Sequence, residues 1–216
     1  MMGISGVINV LKPPGMTSSD VVVYLRRKLG IKKVGHTGTL DPAAAGVLPI
    51  CIGRATKLAE YITSDVKAYR AEMVLGIETD TLDAEGKLVA RCEKLPDVEK
   101  IYDVFGQYQG KIKQHPPMYS AIKYKGKPLY ELARKGQQID IPYREVTLFK
   151  NKIIRITPPH RIFFEVECSK GTYIRSLCRD MGKAMGCGAY LSFLLRIKNG
   201  VFSIENSWTL DEIDSH

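Results

Sequence analysis

Gly35-His36-Thr37-Gly38-Thr39-Leu40-Asp41-Pro42-Ala43-Ala44-Ala45-Gly46-Val47-Leu48-Pro49 is the stretch on which the reading of this chain turns. Glycines at 35, 38 and 46 permit tight turns or a close approach of backbone to a ligand. Pro42 biases Asp41 toward extended backbone, and a carboxylate on such a loop can be held at the mouth of a cleft. The competing reading is a turn that Asp41 merely organises, since Asp-Pro pairs commonly open turns. Residue types alone favour the turn.

Outward from this loop, an apolar run at 6–11 stops at Lys12-Pro13-Pro14-Gly15. Thr17 and Ser18 can cap a helix that runs to Leu29, with Gly30 as its stop. Residues 48–52 read as a strand and 55–62 as a helix. Residues 69–75 roughly alternate, as a half-buried strand does, and 78–86 form a polar loop. Pro96 and Asp97 open a helix to about residue 105. The basic, proline-rich and tyrosine-bearing segment 111–135 is expected to project from the body. Strands follow at 146–156 and 162–168, then a helix at 172–185 stopped by Gly186, then strands at 191–197 and 201–204. Many strands with intervening helices, and no strict βαβ rhythm, predict an α+β fold on a mixed sheet.

The 216 residues suffice for one large domain or two small ones. Lys and Arg total 32 against 23 acidic residues, a net charge of +9. That excess suits a polyanionic partner; a well-solvated basic surface is the plainer alternative. Five cysteines, an odd number with no C-x-x-C spacing, fit neither a disulfide framework nor a zinc site. Four scattered histidines do not complete a metal set. A reduced, cytoplasmic compartment is the expectation. The N-terminal apolar run is too short for a signal sequence and lacks a basic flank. No run approaches ~18 uninterrupted apolar residues, so no membrane span is expected. A glycine-rich cofactor loop after a strand is also missing, which weighs against a base methyltransferase.

Six blocks, in order, resemble the TruB family of tRNA pseudouridine synthases. The 35–49 stretch is similar to the family's catalytic motif. Residues 6–15 resemble its N-terminal K-P-x-G strand and turn. Tyr69-Arg70 stands where the family keeps an active-site Tyr. Thr79-Asp80-Thr81 with Asp83 and Gly86 resembles its TDT-x-D-x-x-G loop. Gln114-His115-Pro116-Pro117-Met118-Tyr119-Ser120-Ala121-Ile122-Lys123 is similar to its Q-x-P-P-x-Y-S-A-x-K block. Ser169-Lys170-Gly171-Thr172-Tyr173-Ile174-Arg175 matches S-K-G-T-Y-I-R.

The resemblance implies a pseudouridine synthase fold: a mixed, mostly antiparallel sheet with flanking helices, in one catalytic domain over 1–216, with an RNA-gripping insertion at 107–142. It implies isomerisation of the T-loop uridine of tRNA (position 55) after base flipping. The expected partner is the tRNA T-arm stem-loop, with no cofactor, no metal, no membrane and no obligate protein partner. Asp41 becomes the catalytic carboxylate; attack at the sugar C1′, attack at uracil C6 and abstraction of a sugar proton all remain open. Arg175 is implied to pair with Asp41, where a phosphate contact or a surface charge is the alternative. Tyr69 is implied to stack on the uracil and is a candidate acceptor of the C5 proton; without the motif it reads as a core aromatic.

His36 is implied to fill space against the T-loop, where otherwise it reads as a turn or core histidine. Lys12 joins the RNA-binding set, with a structural or electrostatic role beneath the site. Lys123, Tyr119 and Arg134 belong to a segment that interleaves cations with rings, suited to gripping RNA; a solvated hairpin is the alternative. Asp83 is a candidate second contact for Arg175, or a solvated loop carboxylate.

Residues 189–200 depart from the family's A-H-L-x-x-L-R-R segment: Tyr190 stands for the His and Leu195 for the first Arg. The family's usual C-terminal RNA-binding region, often a PUA module, is expected to be absent or cut off. A competing class is a binding module that refolds the tRNA elbow without chemistry; intact Asp41, Tyr69 and Arg175 favour catalysis.

Overall fold

The computed structural model describes residues 4–62, 66–158 and 160–215. In chain order its elements are β1 (Gly6–Lys12), α1 (Ser18–Leu29), β2 (Val34–His36), β3 (Ala45–Ile52), a 3-10 segment (Gly53–Leu58), α2 (Ala59–Ile62), β4 (Val66–Leu75), β5 (Ile77–Thr79) and β6 (Leu88–Arg91). Then come α3 (Val98–Gln107), β7 (Gly110–Gln114), β8 (Lys123–Tyr124), β9 (Lys127–Pro128), α4 (Leu129–Arg134), β10 (Arg144–Thr157), β11 (Arg161–Ser169) and α5 (Ile174–Met185). The chain finishes with β12 (Ala189–Asn199), β13 (Phe202–Ser203), a 3-10 turn (Ile204–Asn206) and α6 (Leu210–Asp214). Two compact units divide it: residues 1–70 with 193–216, and residues 71–192.

In the first unit, β1 lies antiparallel along β3 from Gly6 opposite Ile52 to Lys12 opposite Gly46. The other edge of β3 carries β2, antiparallel, and then β12, which is parallel at Ala45 and Gly46. Helix α1 covers this sheet because its caps and its apolar stripe agree. Thr17 and Asp20 form a reciprocal capping box, and Gly30 closes the helix at φ 64°. Its buried Val21, Val22 and Leu25 pack on Val10, Val34, Leu48, Ile50 and Ile52. Each such side chain stabilises the unit by about 1.5–3 kcal/mol.

In the second unit, β10 pairs antiparallel with both β11 and β7. Strict alternation along β11 buries Ile162, Phe164, Val166 and Cys168. Phe105 of α3 meets Phe164 edge-on, with ring centroids 5.5 Å apart. Residues 115–143 include a small core of their own, in which Leu129, Leu132 and Ile141 pack with Met118, Ile122 and Ile139.

Two readings from sequence need correction. Residues 111–114 do not project: β7 is a sheet strand, with Ile112 opposite Val146 of β10. Residues 55–62 form a 3-10 segment followed by a single α-turn, because no buried apolar stripe anchors the segment. No helix among the described residues is long and apolar enough to cross a membrane.

Candidate active site

The loop that carries Asp41 is clamped on both sides of that residue. Leu40, just before it, is held through its backbone by Ser18 at the start of α1. Pro42, just after it, presents its carbonyl to the Gly15 amide at 2.9 Å and to the Lys12 ammonium at 3.2 Å. The Ala44 amide donates to the Asp41 carbonyl at 3.1 Å, a turn of the kind Asp-Pro favours. Thr37 is pinned by its amide to the Pro49 carbonyl at 3.1 Å. The Asp41 carboxylate thus rides on a backbone with little freedom to drift, at a half-buried position.

Beneath the loop lie two buried cations. Lys12 has 0% exposure, and its ammonium donates to the carbonyls of Pro13 (2.8 Å), Met16 (2.6 Å) and Pro42. Burial pushes its pKa down to about 8; the Asp41 carboxylate opposes that shift and Arg196 adds to it. Arg196 on β12 is 1% exposed. Its Nε donates to the Val47 carbonyl at 2.7 Å, Nη2 to Gly38 at 3.1 Å and Nη1 to Thr39 at 3.4 Å. Its guanidinium is also hydrogen-bonded to the Tyr69 hydroxyl. Tyr69 is 7% exposed.

His36 ends β2. Its Nδ1 accepts the Gly38 amide at 3.4 Å, a geometry that requires the unprotonated nitrogen. Burial first, and Arg196 second, hold the ring below its ordinary pKa. Gly46 lets these parts meet: its φ is 120°, and a Cβ there would collide with the Arg196 backbone.

In the second unit, Arg175 occupies the first turn of α5 and is 5% exposed. Tyr173 gives that helix no side-chain cap. Gln114 of β7 supplies the positioning instead: its Oε1 accepts the Tyr173 amide at 2.7 Å and its Nε2 donates to the Tyr173 carbonyl at 3.0 Å. The Arg175 guanidinium donates to the carbonyls of Thr81 (3.1 Å) and Tyr119 (2.8 Å), and Nη1 lies 3.5 Å from Asp83 Oδ2. Asp83 also organises its own loop, accepting from the Thr81 hydroxyl and the Glu85 amide. Lys123 and Arg134 are exposed, on β8 and α4. The Arg134 guanidinium stands 5.6 Å from the Tyr130 ring centroid.

Residues 26–174 match the model for the TruB family pseudouridylate synthase N-terminal domain, and residues 175–216 match the tRNA pseudouridylate synthase B C-terminal domain. The chain belongs to the TruB family. It is 53% identical over 213 residues to a tRNA pseudouridine synthase B of Caldanaerobacter subterraneus subsp. tengcongensis, covering 98% of this chain and 75% of that one. Among solved structures, a chain of a Cbf5-Nop10-Gar1 complex is 32% identical with a TM-score of 0.76, over 97% of this chain and 54% of that one. A chain of an H/ACA RNP bound to a substrate RNA containing 2'-deoxyuridine is 29% identical with a TM-score of 0.73, over 97% and 52%. This chain spans about half the length of those two solved chains. The fold is the α+β pseudouridine synthase fold.

In this TruB chain the residues singled out from sequence fall into two groups. Lys12, His36, Asp41 and Tyr69 belong to the first unit; Asp83, Tyr119, Lys123, Arg134 and Arg175 belong to the second. Asp83 does contact Arg175. The Lys12 ammonium is surrounded by three carbonyls and closed off from solvent beneath the Asp41 loop. Arg196, Ser18 and the clamp made by Gln114 were missed as parts of the site. For Arg196 the available hint was an arginine inside an apolar strand, in a segment flagged for its departures at Tyr190 and Leu195.

Proposed function

We propose that this chain converts a T-loop uridine of tRNA to pseudouridine after flipping the base from its stack, with Asp41 as the catalytic carboxylate, in a reduced cytoplasmic compartment. The immobilised Asp41 loop within the TruB motif carries this reading. In the isomerisation the bond from C1′ to N1 breaks, the uracil turns, and a bond from C1′ to C5 forms. C5 gives up its proton and N1 ends with one. A carboxylate fixed from both neighbours suits such a step, because its rate depends on holding the reacting atoms in register. Extrusion of the base costs a few kcal/mol, which RNA contacts elsewhere must offset. The exposed cations Lys123 and Arg134, with the Tyr119 ring, fit that task. Tyr69 stacks on the uracil and handles the C5 proton, and Arg175 acts with Asp41 in the same reaction.

The test is incubation with unmodified tRNA and mapping of pseudouridine at single-nucleotide resolution. One modified T-loop position is the expected result. Asp41→Asn keeps the size of the side chain and removes its charge, so product formation should vanish while tRNA binding persists; activity within about tenfold of wild type would remove Asp41 from the role. Arg175→Lys loses the planar fork and should slow turnover about 100-fold with little change in tRNA affinity.

A further inference from the structure

Arg196 is the bulkiest fully buried side chain among the described residues. Burying a guanidinium is costly unless its donors are met, and an apolar replacement of similar volume often serves stability as well or better. Yet the strand that bears it is otherwise largely apolar on this stretch, Phe193-Leu194-Leu195 before it and Ile197 after it. Its partners explain the exception. Three are backbone carbonyls from the segment around Asp41: Gly38 and Thr39 before it and Val47 after it. The fourth is the hydroxyl of Tyr69. One rigid, planar group therefore touches the carboxylate's loop and the phenol together.

We infer that Arg196 is a positioning residue for the isomerisation, setting the Tyr69 hydroxyl at a fixed place relative to the backbone that carries Asp41. This rests on the reading of Asp41 and Tyr69 given above. The guanidinium fork suits the task because its donor directions are fixed. A lysine keeps the charge but, as a point donor on a flexible stem, cannot serve carbonyls on two sides and the phenol at once. The hydroxyl would then turn freely, and a misplacement of this kind slows a reaction without weakening binding of the remote parts of the substrate. A plain structural brace would behave otherwise, since its loss would not depend on whether Tyr69 has a hydroxyl.

The experiment is a double-mutant cycle on single-turnover pseudouridine formation with unmodified tRNA, using wild type, Arg196→Lys, Tyr69→Phe and the double variant. Melting temperature and tRNA affinity are measured on each. Arg196→Lys should slow the step about 100-fold while tRNA affinity stays within about threefold. On the Tyr69→Phe background the same change should slow it by only about threefold, because the hydroxyl is already gone. Equal factors in the two backgrounds would overturn the inference and leave the isomerase reading intact. Tyr69→Phe at the wild-type rate would overturn it as well, since the hydroxyl would then have nothing to be positioned for. A wild-type protein that makes no pseudouridine would overturn both. If the Lys variant melts below the assay temperature, Arg196→Gln, which retains a planar donor, takes its place in the cycle.

Discussion

The Ser18 hydroxyl accepts the Leu40 amide at 2.8 Å and donates to the Leu40 carbonyl at 3.2 Å. Ser18 is the first residue of α1, and Leu40 immediately precedes Asp41. A helix packed on the sheet is thus tied by a single side chain to the loop that carries the Asp41 carboxylate.

Ser18→Ala would leave both Leu40 backbone groups unmet in a buried place, a loss of about 1–3 kcal/mol. A calorimetric or fluorescence melt should show a drop of a few degrees. Turnover should fall further than stability does, by about tenfold, because the residue released is next to Asp41. A lower melting temperature with an unchanged rate would make the clip purely structural.

Two glycines on either side of Asp41, one in its loop and one in β3, should respond differently. Gly46→Ala forces a side chain into the Arg196 backbone at a φ that L residues rarely adopt, so it should lower stability by more than about 2 kcal/mol or prevent folding. At Gly38 the nearest atoms to an added methyl lie 3.7 Å and 3.9 Å away, an ordinary contact distance. Gly38→Ala should melt within about a degree or two of wild type. Equal losses at the two sites would contradict the close approach of β12 to Gly46.

Acid should weaken the fold through His36. The folded state holds this ring below its ordinary pKa, while the unfolded chain binds a proton near the usual value of about 6.5. Between the folded and unfolded pKa values the unfolded state carries more protons, so stability rises with pH across that window and is lost as pH falls. Wild type should therefore lose more melting temperature from pH 7 to pH 5 than His36→Gln, which cannot take up a proton. Parallel curves would mean that the ring titrates freely in the folded protein.

The tRNA affinity should fall steeply with salt, as the net charge of +9 and the exposed cations on β8 and α4 require. Replacing Lys123 and Arg134 with Glu should weaken binding and reduce the slope of log K against log salt by about one to two units. An unchanged slope would place the phosphate contacts elsewhere.

What could be read from sequence depended on how local its causes are. Helix α1 was legible to the residue, because Thr17, Asp20 and Gly30 sit within its own turns. Strand β7 was not, because its lysines at 111 and 113 merge with the basic run that follows. Only Ile112 and Gln114 betray it, and their partners in β10 come much later in the chain. Asp41 stood out through its motif, whereas residue types alone suggested a turn, and a turn is indeed what its backbone makes. Lys12 was placed beneath the site only by its motif, and Arg196 looks like a surface cation in sequence. Arg196 is defined by carbonyls in other segments, which no local pattern reports, and Lys12 by the local carbonyls of Pro13 and Met16 together with the distant one of Pro42.

The first unit joins the two ends of the chain: Arg196 reaches back to Gly38, which was synthesised long before it. On the ribosome, the segment bearing Asp41 emerges well before the strand that carries Arg196, and until β12 follows it is held only by N-terminal partners such as Ser18, Gly15 and Lys12. A nascent chain that lacks β12 therefore holds Asp41 and Tyr69 without the guanidinium that touches both the loop and the phenol.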